Sequence, residues 1–246
     1  MLVEKIADAV TWAGLKLAAL GRVMAARVAP RPLNLLGDRD IEWSWIEAHI
    51  PPGPGKALDF GCGGSHLGLV AAERGYDVLA IDRGEIQWGY AHPKLRFRRC
   101  DLMDLDEKGF DLVLNCSTVE HVGLAGRYGV EHDRPDGDIE AMRKLRNAMK
   151  PGGIMLLTIP VGRDGVFPPM CRVYGIERLP RLTDGFEIVE EKYWKKEEGN
   201  RWVECLREEA LDFECSMYSY FPQRNICALG GLALKNPGVI SRTRNP

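Results

Sequence analysis

No stretch of this sequence runs uninterrupted for the ~20 apolar residues that a membrane-spanning helix requires. The first 28 residues are apolar in the main, but Glu4, Lys5, Asp8, Lys16, Arg22 and Arg27 break them up. They also lack the order of basic start, apolar run and small-residue cleavage site, so no secretory leader is expected. Charge of one sign is missing too. Lys plus Arg is 33 against 35 for Asp plus Glu, a net charge of -2. A protein built around nucleic acid needs a basic excess, so no nucleic-acid partner is expected. The seven cysteines are odd in number and no two stand at CxxC spacing. That excludes a disulfide framework or zinc ribbon and points to a reducing cytoplasm. No internal repeat and no low-complexity tract is found. What remains, 45% hydrophobic and 28% charged over 246 residues, is enough chain for a sizeable core.

The chain divides into three parts. Residues 1–50 read as an N-terminal helical cap. Ile6, Val10, Ala13, Leu17, Leu20, Met24 and Val28 recur at spacings of three and four and line one face of a helix. Such a face packs on its own domain or on a partner subunit in a homo-oligomer. Alternatively it lies on a membrane surface as a peripheral contact serving a lipid-linked substrate. A second helix is predicted around Ile41–Ile46. Residues 51–236 read as one domain, and 237–246 as a polar tail.

Within 51–236, strand-like runs alternate with helical ones. Strands are predicted at Lys56–Phe60, Asp77–Ile81, Leu95–Arg99, Phe110–Asn115 and Ile154–Ile159, with helices at Leu67–Arg74 and Asp138–Met149. Lys150-Pro151-Gly152-Gly153 stops the second helix. Two later strands, Phe186–Lys195 and Ile226–Lys235, have no long crossover between them and form an antiparallel pair at one side of the sheet. The fold class is α/β: a Rossmann-like, doubly wound sheet of seven strands, the last antiparallel.

The chemistry-bearing residues fall at the strand ends. Leu58-Asp59-Phe60-Gly61-Cys62-Gly63-Gly64-Ser65 follows the first strand and opens a helix, where glycines allow a tight turn and close approach to a ligand. A dinucleotide fingerprint Gly-x-Gly-x-x-Gly fails here, because His66 holds the third glycine position. Asp59, just before the first glycine, sits where an ammonium group would be held. Asp82 ends the second strand, about twenty residues after the first glycine, as an acid that binds both ribose hydroxyls does. Asp101 follows the third strand, placed to accept from an adenine amino group. Ligands of open parallel sheets bind at these C-terminal strand ends.

These motifs resemble those of the class I S-adenosylmethionine-dependent methyltransferases over roughly Lys56–Val161. The matching pieces are Leu58–Gly63, Asp82, Cys100-Asp101-Leu102, Phe110–Asn115 and Met149–Gly153. The resemblance implies S-adenosyl-L-methionine as cofactor, held by Asp59, Gly61, Cys62, Gly63, Asp82, Arg83, Asp101, Leu102, Asn115 and Ser117. Ser117-Thr118-Val119-Glu120-His121, leading to Gly126–Gly129 and Asp136–Asp138, looks like a poorly characterised methyltransferase-like branch often associated with glycan gene sets. Glu120-His121 also resembles a pair that helps hold a divalent metal in ubiquinone-biosynthesis O-methyltransferases. The acid three positions earlier is Ser117 here, and no metal is expected.

Methyl transfer to a hydroxyl needs alignment and a base. His121 is the base candidate, with an ordinary pKa of about 6.5, and Glu120 orients it or acts directly; a structural role for both is the alternative. Arg127, Tyr128, Arg163, Arg172 and Tyr174 are predicted to line the acceptor pocket. Arginines there favour a phosphate- or carboxylate-bearing acceptor. The expected acceptor is a small molecule, sugar or lipid-linked glycan. Two other readings remain at this point: a nicotinamide-dependent sugar-modifying enzyme, and a non-catalytic methyltransferase-like scaffold.

Overall fold

The computed structural model describes residues 38–126, 128–197, 201–215 and 227–238. The predicted amphipathic helix before residue 38, Arg127 and most of the polar tail lie outside them. Strand β1 (Gly55–Phe60) pairs in parallel with β2 (Tyr76–Asp82) on one side and β4 (Phe110–Cys116) on the other. Beyond β2 lies β3 (Leu95–Arg99), and beyond β4 lies β5 (Met149–Val161), both also parallel to their neighbours. The interior strands are runs of Ala, Leu, Ile and Val buried on both faces, the pattern of a parallel sheet covered by helices.

The C-terminal third extends the sheet antiparallel. β10 (Ala228–Lys235) runs against β5 and β8 (Glu187–Lys196), and β9 (Trp202–Cys205) closes the edge. The full order is β3-β2-β1-β4-β5-β10-β8-β9. The sheet therefore has eight strands and not seven, because Trp202–Cys205 folds back on β8 as a hairpin. A separate ribbon of β6 (Gly165–Phe167) and β7 (Cys171–Val173) fills the segment after β5, which the sequence pattern left without structure.

Helices cover both faces. On one face α1 (Asp38–His49) and α2 (Leu67–Glu73) pack Trp45, Ile46, Leu67 and Ala71 onto Ala57, Val78, Leu112 and Leu156. Gly231 of β10 lies under the Trp45 indole: a β-carbon there would stand 2.9 Å from the ring, so the glycine is what lets α1 seat. On the other face α3 (Gly137–Ala148) buries Ile139, Met142 and Leu145 against β4 and β5 residues such as Val113 and Met155. Asp138 and Glu140 stand in its first turn and Arg146 in its last, matching the helix dipole. Two short helices, α4 (Arg178–Leu182) and α5 (Arg207–Leu211), complete the layers. Among the described residues no helix is long and apolar enough to cross a membrane.

Candidate active site

A cavity of about 350 Å³ opens at the C-terminal ends of β1, β2 and β4. Its floor is the glycine turn after β1. The amides of Gly61 and Cys62 both donate to the Ile81 carbonyl, at 2.9 and 3.2 Å, folding the turn back onto β2. Gly61 and Gly63 take left-handed backbone, with φ of 67° and 47°. A β-carbon on Gly63 would have only the Gly61 carbonyl oxygen within 4 Å, at 3.9 Å, so the turn presents open backbone. Trp88 braces it from outside by donating to the Gly63 carbonyl (3.1 Å), and Tyr90 does the same at the Ser65 carbonyl (2.6 Å). Neither was singled out in the sequence, where they sit in a stretch without periodicity.

Asp82 stands on the wall at the end of β2. Its carboxylate accepts from the amides of Gly63 (3.1 Å) and Gly84 (2.8 Å), which fixes its direction. Asp101 and Leu102 follow β3. Asp101 accepts from the Met103 amide at 2.9 Å, capping a short turn, and pairs with Arg83 at 3.3 Å. Gly61, Gly63, Asp82, Arg83, Asp101, Leu102 and Ser117 thus all reach one cavity.

Three others are turned away from it. Asp59 is buried beneath the turn, where its carboxylate meets α2: a β-carbon on Gly68 would lie 2.9 Å from Asp59 Oδ2. Oδ2 has no hydrogen-bond partner among the described residues. Burial, with a smaller contribution from Asp82, pushes the Asp59 carboxyl up to about 7, against the opposing Gly68 amide. Asp59 therefore lies beneath the turn and does not line the cavity. Cys62 is buried, its thiol pushed up chiefly by burial. Asn115 is buried in β4, its amide 3.8 Å from Met142 Sδ.

At the far wall Ser117 takes left-handed backbone (φ 43°) and its hydroxyl donates to Glu42 of α1. Glu42 is itself buried, which raises its pKa, and Arg39 donates to its Oε2 at 2.8 Å. Arg39 reaches the cavity and was missed in the sequence, since nothing in Asp38-Arg39-Asp40 distinguishes it from a surface charge run.

His121 lines the cavity and Glu120 does not. The Met170 carbonyl lies 2.7 Å from His121 Nδ1. A carbonyl only accepts, so Nδ1 carries the proton and Nε2 is the nitrogen that takes one up. Nε2 is 3.5 Å from Glu120 Oε1, and the Glu120 side chain is buried. Of the predicted acceptor residues, Tyr128 reaches the cavity. Arg163 is on the surface, paired with Asp212 at 2.9 Å. Arg172 and Tyr174 are fully buried behind His121. Arg172 donates to the carbonyls of Val122 (2.6 Å) and Arg134 (2.9 Å), and Tyr174 to Asp138 (3.1 Å). Their role as pocket residues is corrected: Arg172 of β7 and Tyr174 just after it pack inward, and Asp138 supplies the buried counter-charge, shared with Arg178 at 2.6 Å.

Residues 101–214 match a family described as "Caenorhabditis protein of unknown function, DUF268". The ubiquinone biosynthesis O-methyltransferase of Acinetobacter baylyi is 30% identical over 63% of this chain and 65% of its own. The chain spans 47% to 65% of the length of the first curated relatives it matches. Among solved structures, Burkholderia thailandensis 1,6-didemethyltoxoflavin-N1-methyltransferase superposes with a TM-score of 0.53 at 17% identity, covering 79% of this chain and 76% of that one. The likeness to curated methyltransferases supports a place in the class I S-adenosylmethionine-dependent methyltransferase superfamily. The [4+2]-cyclase SpnF also superposes, with a TM-score of 0.55 at 18% identity over 80% of each chain. The shared fold therefore does not by itself fix the reaction, which must be argued from the site.

Proposed function

We propose that this protein is an S-adenosylmethionine-dependent methyltransferase acting on a hydroxyl of a small molecule. The observation that carries the reading is the meeting of the open glycine turn, Asp82, Asp101 and His121 around one cavity. The residues present fit the cofactor. A β-carbon at Gly63 would project into space left for a ligand, and Asp82 has a fixed carboxylate beside it. When bound, S-adenosylmethionine supplies an electrophilic methyl group. Asp82 accepts from the ribose hydroxyls, and the Asp101–Leu102 segment borders the adenine. Arg39, at the opposite wall, offers a cation to the amino-acid carboxylate. His121 takes the acceptor proton at Nε2, the nitrogen that the Met170 contact leaves as acceptor.

The expectation of an anionic glycan acceptor rested on Arg127, Arg163 and Arg172. The last two stand off the cavity and Arg127 lies outside the described residues, so the described part of the cavity offers that expectation no support.

Titration calorimetry with S-adenosylhomocysteine, NAD and NADP tests the cofactor reading. One-to-one binding of S-adenosylhomocysteine with no heat from the other two is expected, and the reverse overturns it. With an acceptor in hand, His121→Ala lowers kcat by about 10²–10⁴-fold, the usual contribution of a positioned base. Unchanged turnover in that variant removes His121 from the chemistry.

A further inference from the structure

Only two non-glycine residues among those described take left-handed backbone, Ser117 (φ 43°) and Tyr128 (φ 51°), and both line the same cavity. Such conformations persist where the surroundings over-determine them, and they cluster at ligand sites. Ser117 is explained by its hydroxyl contact to Glu42. Tyr128 has a different setting. It sits at the tip of the loop after His121, between Gly126 and Gly129, themselves left-handed at φ 84° and 74°.

The root of this loop is closed by several independent ties. The Arg134 amide donates to the Gly123 carbonyl (2.8 Å) and the Ala125 amide to Asp133 (2.7 Å). Arg172 grips the carbonyls of Val122 and Arg134 from behind. Near the tip the Gly126 amide donates to the Val130 carbonyl at 2.9 Å. A loop so pinned holds its tip residue in place, yet the Tyr128 side of that tip is 52% exposed. Its ring centroid stands 5.8 Å from that of His121, tilted by 56°. Val122 and Val130, on the same loop, also line the cavity and are apolar. Among the described lining residues, the Asp and Arg side chains belong to the strand ends and α1: Arg39, Asp82, Arg83 and Asp101.

We infer that Tyr128 is a stacking platform that selects an acceptor with an aromatic ring, holding a ring hydroxyl toward His121. This deepens the proposed methyltransferase reading and rests on it. A sugar would bring several hydroxyls to a wall that offers apolar side chains, leaving them unpaired. An aromatic ring buries its faces there and stacks on Tyr128. In transfer, the bond from the ring oxygen to the methyl carbon forms as the carbon–sulfur bond breaks. The hydroxyl proton passes to His121, and S-adenosylhomocysteine is the leaving group.

The test uses the full chain saturated with S-adenosylhomocysteine, probed by saturation-transfer NMR. One panel holds hydroxylated benzenes and naphthalenes, the other methyl glycosides and sugar phosphates. Binding confined to the aromatic panel is expected. Tyr128→Ala weakens it roughly 2- to 12-fold, the span of an aromatic pair beyond burial, and Tyr128→Phe retains it. S-adenosylhomocysteine affinity stays unchanged in both variants, which also reports that they fold. Binding of the sugar panel alone, or aromatic binding indifferent to Tyr128→Ala, overturns the inference. Absence of S-adenosylhomocysteine binding in the unaltered protein instead overturns the cofactor reading beneath it.

Discussion

Gly61 and Thr118 are packed so closely that a β-carbon added at Gly61 would overlap the Thr118 side chain. The glycine turn is thereby locked against the segment that carries His121. Gly61→Ala is expected to unfold the protein at lower denaturant, by roughly 1–3 kcal/mol from overpacking and a further ~1–2 kcal/mol from left-handed backbone. Gly63→Ala shares the backbone cost but meets open space. It should lose more cofactor affinity than stability. Urea melts and calorimetry on the two variants separate these outcomes.

Asp82 is held by two amides and has no cation against it in the described structure. Asp82→Ala should weaken S-adenosylhomocysteine binding by roughly 1.5–3 kcal/mol, the range for hydrogen bonds to a charged group. Calorimetry giving wild-type affinity would remove Asp82 from the ribose site.

The raised carboxyl of Asp59 makes stability depend on pH. Its folded pKa, about 7, lies above the ordinary value near 4. The folded state therefore holds the proton more tightly. The protonated form's advantage is complete below pH ~4 and is lost as pH rises through about 7. Asp59→Asn removes that dependence. Relative to wild type it should gain stability from pH 4 to pH 7 and hold the gain above, up to roughly 3–4 kcal/mol. Equal slopes for the two proteins in urea melts across that range would contradict the assignment.

Arg172 is buried beside Asp138 and grips loop carbonyls, so Arg172→Met leaves those carbonyls unmet while Asp138 keeps Arg178 and Tyr174. A loss of about 1–3 kcal/mol for each carbonyl left unmet is expected, the cost of a buried acceptor without a donor. A thermal melt unchanged from wild type, with raised acceptor KM, would return Arg172 to the pocket.

The parallel half of the fold was legible because its signals are local. Apolar runs such as Leu79–Ile81 and Leu112–Leu114 have the length of strands, and acids or glycines follow them at the ligand-bearing edge. Asp82 and Asp101 could be placed because a strand end fixes a side chain's location almost by itself. Arg172 and Tyr174 could not, since their direction depends on Asp138, more than thirty residues away, which supplies the buried counter-charge. Arg39 was invisible for the same reason: its meaning comes from Glu42 and Ser117, brought together by the docking of α1 on β4. Asp59 was legible as a motif member but its burial was not, because sequence does not show which face of the strand end is covered by Gly68.

The sheet's two outer strands have a bearing on how the protein behaves in a crowded solution. β3 carries Arg96, Arg98 and Arg99 within five residues, and β9 is only four residues long with Glu204 ion-paired to Lys192 across the hairpin. Unpaired backbone at a sheet margin invites another chain to add on, which is how ordered aggregates grow. Repeated like charge on one margin and brevity on the other oppose that addition. Any self-association of this protein should accordingly proceed through helices or loops, with its sheet ending at its own boundaries.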